Sequence, residues 1–391
     1  MDEGSANTGK LPQVAILFSQ FAAYHVDRVE AAARRLAGRA EVLAVEYATT
    51  SATYAWEPAE GIEHARHVTL FPGKSYDEVG HLARYRAVMK AVRDAEMVCI
   101  GVPYSERDII ALSWRLAAAS KRVVMMTESK FDDFPRSLPR EQAKARLLSS
   151  YRAAIVGGLR QREYLRFLGF GDKPILPGYD SVGLDRIRAQ GAGEAVRWET
   201  RDFLFVGRFV EKKNLSVLLA GYARYRELAG SAARRLVLAG DGELAGALKE
   251  QAGEGVVFTG FLRAEEVSRR LARALALCLV STEEQWGLVV NEAAAFGVPA
   301  IVSTAVGSRD ALVRSGVTGH VVEPQSAEGV AHAMLALSKD EADWQRYSQA
   351  TTARAHMGDS ERFADAVEAL FDPDSKGAER AVQFWEDMAG T

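Results

Sequence analysis

Two carboxylates, Glu284 and Glu292, stand eight positions apart in the run Glu284-Gln285-Trp286-Gly287-Leu288-Val289-Val290-Asn291-Glu292. The run follows the strand-like stretch 275–280 and opens a helix at about Gly287. Eight steps along a helix leave two side chains about 80° apart around the axis, so both carboxylates can face one side. A helix start has unpaired backbone N–H groups and the positive end of the dipole, which suits an anion such as a diphosphate. Cations stand at a second place. The buried strand pattern 202–206 runs into Gly207-Arg208-Phe209-Val210-Glu211-Lys212-Lys213-Asn214. Gly207 lets the backbone turn tightly. Arg208, with its planar fork, and Lys213, a point charge, are placed to converge on one dianion from the two ends of the loop.

Two further loops belong to the same picture. Strand 236–239 leads into Gly240-Asp241-Gly242-Glu243, and strand 256–260 ends at Phe261. Ligands of open α/β sheets bind at the carboxyl ends of strands, so these loops should gather around those of Arg208 and Glu284. Gly240 to Ala245 also satisfies the G-x-G-x-x-A dinucleotide fingerprint, a competing reading that points to NAD. It lies on a middle strand, however, and leaves Arg208, Lys213 and the glutamate pair unexplained.

The run 284–292 resembles the E-x7-E signature of the retaining glycosyltransferases of family 4, the glycosyl transferases group 1. That family has the GT-B fold, an α/β architecture of two facing Rossmann-like domains with a cleft between them and a C-terminal helix crossing back. The resemblance covers nearly all of the chain and is strongest over about 202–340. It implies that Glu284 lies near the donor sugar, that Glu292 holds the ribose hydroxyls, and that Arg208 and Lys213 bind the diphosphate. It places Gly240, Asp241 and Gly242 beside the nucleotide, the base near Phe261, and Trp286, Gly287, Leu288 and Val289 along the donor. Trp286 replaces a more usual phenylalanine, Asn291 an apolar residue and Asn214 a glycine.

In the first domain the family often has a glycine-rich loop after the first strand. Here the loop is Ser19-Gln20-Phe21-Ala22-Ala23, with Tyr24 and His25 opening the next helix. His25 is a candidate to meet phosphate or acceptor, or else a structural histidine, and Arg28 is expected on the helix surface. After strand 123–126 much of the family presents a histidine, whereas this chain has Thr127-Glu128-Ser129-Lys130-Phe131-Asp132-Asp133. This block, with Gly178-Tyr179-Asp180 and Gln285-Trp286-Gly287, resembles a bacterial subgroup. Glu128 is the candidate acceptor-side carboxylate and Asp133 a second, with helix capping as the alternative for the aspartates. Tyr24 and His25 complete the acceptor side.

The implied chemistry is metal-independent transfer of a sugar from a nucleoside diphosphate to an acceptor hydroxyl, with retention. Arg208, Lys213 and the helix start at Gly287–Val289 would stabilise the leaving diphosphate, Glu284, Glu128 and His25 would flank the reacting centre, and no cofactor is expected. The rivals are a GT-B nucleotide-sugar epimerase and a catalytically idle nucleotide-sugar-binding protein.

Composition agrees with a two-domain enzyme. A chain of 391 residues exceeds the usual single core, and a net charge of −3 gives no reason to expect nucleic acid as partner. Cys99 and Cys278 each lie in an apolar strand-like run, which suggests free thiols in a reducing, cytoplasmic compartment. No apolar run reaches the length of a membrane span, so membrane contact is at most peripheral. Arg136, Arg140, Lys144, Arg146, Arg152, Arg160, Arg162 and Arg166 crowd one segment and read as a solvated face, with an anionic acceptor or an acidic membrane as the alternative.

Alternating strand and helix patterns divide the chain. A disordered tail is expected at 1–12, an acceptor domain at 13–186 and a linker at 187–200. A donor domain follows at 201–372, with a returning helix at 373–391. Acceptor choice falls to first-domain loops such as 49–62, with Tyr54 and Trp56.

Overall fold

The structure is a computed structural model and describes residues 10–50, 61–193 and 196–389. Residues 1–9 of the expected tail and most of the 49–62 loop, including Tyr54 and Trp56, lie outside them; the tail's last residues are placed, and Pro12 C=O accepts from Glu41 N–H at 2.9 Å. Thirteen strands among the described residues form two all-parallel sheets.

The first sheet contains β1 (Gln13–Phe18), β2 (Glu41–Thr50), β3 (Arg66–Ser75), β4 (Met97–Ile100), β5 (Arg122–Thr127), β6 (Ala153–Val156) and β7 (Ile175–Pro177). Their order is β3-β2-β1-β4-β5-β6-β7. Strand β1 is buried throughout and faces two cores by alternation. Ala15 and Leu17 join one, while Val14, Ile16 and Phe18 join the other.

The second sheet contains β8 (Asp202–Val206), β9 (Leu236–Ala239), β10 (Val256–Gly260), β11 (Ala274–Leu279), β12 (Ala300–Ser303) and β13 (Gly319–Val322). The order β10-β9-β8-β11-β12-β13 reverses between β8 and β11, which opens a crevice at their carboxyl ends. The Arg208 loop follows β8, and the Glu284 loop follows β11. Cys99 and Cys278 are buried free thiols in different sheets. No described helix is long and apolar enough to cross a membrane.

Two expected boundaries differ from the structure. Residues 187–190 belong to helix Leu184–Gln190, whose Leu184 and Ile187 pack on Ala294 and Ala295 of the second domain. The chain also returns before residue 373. Helix Glu361–Phe371 already lies on the first domain, with Phe363, Ala366, Val367 and Leu370 in a core shared with β1. Arg35 of helix Ala23–Arg35 binds Glu361, Asp365 and Glu368 on this returning helix. The sequence pattern hid the crossing because an amphipathic helix reads the same whichever sheet it covers.

Candidate active site

The loops after β8 and β11 are tied together. Lys212 C=O accepts from Thr282 N–H at 2.9 Å, Lys213 Nζ pairs with Glu284 Oε2, and Ser281 Oγ donates to the same oxygen at 3.1 Å. Lys212 turns instead toward Glu283, at 3.6 Å. Arg208 lies exposed on the β8 loop. Asn214 has φ +57°, a left-handed conformation, and its amide donates to Val280 O at 2.9 Å and Pro324 O at 2.6 Å. Asparagine tolerates this conformation better than other non-glycine residues, so the loop keeps its path without the glycine.

Gly287 caps helix Leu288–Ala295 at φ +94°. A Cβ there would meet Leu279 Cδ2 at 2.8 Å, so both conformation and packing favour glycine. Leu288 and Val289 follow in the first helical turn, half-buried. Glu292, further along, is half-buried beside Arg186 and Asp27. Burial outweighs the Arg186 charge and pushes its carboxyl up to about 7. Asp27 comes from the first domain and grips Arg186 at 2.7 and 2.8 Å.

The Gly-Asp-Gly loop lies beside the same crevice but uses its glycines for packing. A Cβ on Gly240 would fall 1.9 Å from Gly207 O, and one on Gly242 2.6 Å from Phe209 O. Phe209 N–H donates to Asp241 O at 2.9 Å. The missing side chains thus let two loops touch, which weighs against the dinucleotide fingerprint. Asp241 is exposed, and Phe261 is 66% exposed at the end of β10.

Three candidate side chains are engaged by the protein itself, His25 and Asp133 in the structural and capping roles that were the alternatives for them. Trp286 is buried against the first domain, near Gly157 and Gly158, and its Nε1–H donates to Asn291 Oδ1 at 2.9 Å. Asn291 in turn donates to Asp180 O at 2.9 Å and Gly358 O at 3.1 Å. The two departures at 286 and 291 are therefore one hydrogen-bonded pair that joins the domains. His25 is buried, stacked on Phe18 at 4.1 Å, and its Nδ1 accepts from Ala22 N–H at 3.0 Å. A further bond ties the ring to the Gln20 backbone. Burial and then Arg28 push its pKa well below the usual histidine value, so a neutral ring shapes the loop where the family has glycines. Asp133 accepts from Lys130 N–H at 2.8 Å and pairs with the buried Lys130 Nζ at 3.1 Å, which is a capping role.

Glu128 is half-buried at the end of β5, with Asp180, Arg28, Glu284 and Asp133 as its charged neighbours. Arg28 is fully buried, not on the helix surface. Its guanidinium lies over Tyr24 at 4.9 Å and Tyr179 at 5.0 Å, and Nε donates to Ser181 O at 2.9 Å. Sequence reasoning missed Arg28 and Asp180 as site residues, since Arg28 bonds Ser181 at 153 positions' remove and Asp180 is held by Asn291 at 111. The Gly178-Tyr179-Asp180 run was the one available signal.

Part of the basic stretch is internally engaged, while Arg140, Arg146, Arg152 and Arg166 are exposed. Arg136 and Lys144 serve Tyr164 and Glu141, and Arg160 crosses to Asp310 at 2.9 Å and Thr304 O at 3.2 Å in the second domain. Among the described residues His81, Glu106 and Asp108 cluster as metal ligands might, but Arg84 Nη2 already touches all three at 2.6–2.9 Å.

Comparison with known proteins fits this geometry. Residues 192–354 match the model of the family "Glycosyl transferases group 1". Glycogen synthase of Mycobacterium tuberculosis is 32% identical over 177 residues, which are 44% of this chain; the chain spans only 42% of that relative's length. Sucrose-phosphate synthase from Thermosynechococcus elongatus superposes with a TM-score of 0.68 at 19% identity, covering 93% of this chain and 98% of its own. Anabaena HepE, in complex with UDP and glucose, has a TM-score of 0.67 at 14% identity, covering 93% and 100%. The fold is GT-B, and the matches support the group 1 glycosyltransferases as the family.

Proposed function

We propose that the cleft transfers a sugar from a nucleoside-diphosphate sugar to an acceptor hydroxyl, without a metal or other cofactor and with retention at the anomeric carbon. The observation that carries this reading is the meeting of Lys213, Glu284 and the Gly287 helix start at the β8/β11 crevice. Diphosphate oxygens would take Lys213 Nζ from Glu284 and accept from the helix-start N–H groups, with Arg208 at the loop rim. Glu284, released, would meet sugar hydroxyls, and Glu292 the ribose hydroxyls. Gly240, Asp241, Gly242 and Phe261 would border the nucleotide. The glycosyl C–O bond breaks with its electron pair going to the diphosphate. The acceptor oxygen bonds the same carbon, and its proton passes to the departing phosphate oxygen. Two carboxylates are therefore not needed as nucleophile and acid. The site would work in the cytoplasm, where nucleotide sugars are made.

Thermal melts with UDP, GDP, ADP, TDP and NAD test the reading. Because HepE holds UDP, UDP is the first to try. A ligand at about one hundred times its Kd should add roughly 2.7 kcal/mol to stability. A shift with one nucleoside diphosphate supports the donor site. A shift with NAD alone, or none at all, overturns it. Binding of a nucleotide sugar with no turnover on any acceptor would instead favour an idle binding protein.

A further inference from the structure

Asp180 is 2% exposed, and neither of its carboxyl oxygens has a hydrogen-bond donor among the described residues. Its place is tightly defined. A Cβ on Gly157 would lie 2.2 Å from Asp180 Oδ2, Trp286 borders the same space, and Asn291 holds the Asp180 carbonyl. A buried carboxylate without donors is costly, whereas a protonated carboxyl needs only an acceptor. That acceptor is the neighbouring Glu128, which is less buried and follows the end of β5. Arg28 lies beneath, with both Nη groups buried and without hydrogen-bond partners among the described residues, so its charge favours one negative charge on the pair.

We propose that Asp180 and Glu128 share one proton, held on Asp180, and that the pair is the acceptor subsite of the cleft, where the Glu128 carboxylate accepts a hydrogen bond from the acceptor hydroxyl. The proposal rests on the transferase reading. Two carboxyl groups in contact do not both ionise, and the more buried one keeps the proton. Burial, and then the Glu128 charge, push the Asp180 carboxyl well up. Glu128 also faces Glu284 and Asp133, each already paired with a lysine, Lys213 and Lys130. A hydroxyl can donate to the Glu128 carboxylate there. Glu128 orients the hydroxyl, and Asp180 is a positioning residue that acts through it.

Isotope-edited infrared spectra of the wild-type protein test the proton. The C=O stretch of a protonated carboxyl should be present at neutral pH and move when aspartate carboxyls are isotope-labelled. A band that moves only with labelled glutamate, or no band, overturns the assignment. This measurement stands even if no nucleotide binds, which would sink the transferase reading alone. With the nucleotide sugar chosen by the melts, turnover is then compared across pH. Asp180→Asn retains an N–H donor to Glu128 and should keep most activity but lose the alkaline limb of the wild-type profile. Asp180→Leu should lower kcat by at least about tenfold with nucleotide Kd unchanged. An alkaline limb unmoved in Asp180→Asn removes Asp180 from the role.

Discussion

Glu292 carries a charge that the fold disfavours. Its folded pKa of about 7 lies above the ordinary 4.5, so the native state holds a proton over that interval that the unfolded chain has released. Stability from this group is whole below pH 4.5 and is lost as the pH rises through about 7. Glu292→Gln escapes the loss, and its advantage over wild type should grow to at most ~3 kcal/mol across the interval. Urea unfolding at several pH values checks this, and a gap that stays flat with pH would refute the buried-carboxyl account. The nearness of Lys213 and Glu284 was legible because both lie in loops that leave strand ends of one sheet. Arg28 and Asp180 were not, since their burial is set by segments far away in sequence, whereas His25 is held by its own neighbours Phe18, Ala22 and Tyr24.

The loops show how local rules survive substitution. Asn214 keeps a left-handed turn and adds two hydrogen bonds from its amide. Asn214→Gly retains the conformation and loses the bonds, whereas Asn214→Ala loses both advantages. Alanine should cost about 1–2 kcal/mol more than glycine, the price of a left-handed L-residue. Denaturant midpoints decide it, and an alanine variant as stable as the glycine one would mean that the loop relaxes. Among the strands, β3 escaped the sequence reading. It is a half-exposed edge that carries Pro72 and Gly73, so neither continuous burial nor clean alternation marks it. The other strands of the first sheet, apart from the short β7, were legible from their apolar runs.

The domains are held together by a pair that sequence comparison alone would score as two unrelated departures. Trp286→Phe leaves Asn291 Oδ1 without its donor, and Asn291→Leu leaves the indole N–H and the Asp180 carbonyl bare. Each change should cost about 1–3 kcal/mol. The double variant, closer to the usual family pattern, should cost less than the sum by roughly 1 kcal/mol. Additive losses in a double-mutant cycle would show that the two residues act separately. The two βα series were legible as domains from their rhythm, but the contact between them was not, because it depends on the exact facing of Gly157, Gly158 and Trp286.

The return of helix Glu361–Phe371 to the first sheet also orders events during synthesis. The first domain cannot complete its core until residues that follow the entire second sheet have left the ribosome. From residue 190 to 361, at about 5–20 residues per second, that is on the order of ten to thirty seconds. Throughout, the nascent first sheet exposes the apolar flank that Phe363, Val367 and Leu370 will cover. The second domain waits as well, because Phe384 and Met388 of helix Lys376–Ala389 sit in its core, so both domains close only on the piece of chain delivered last.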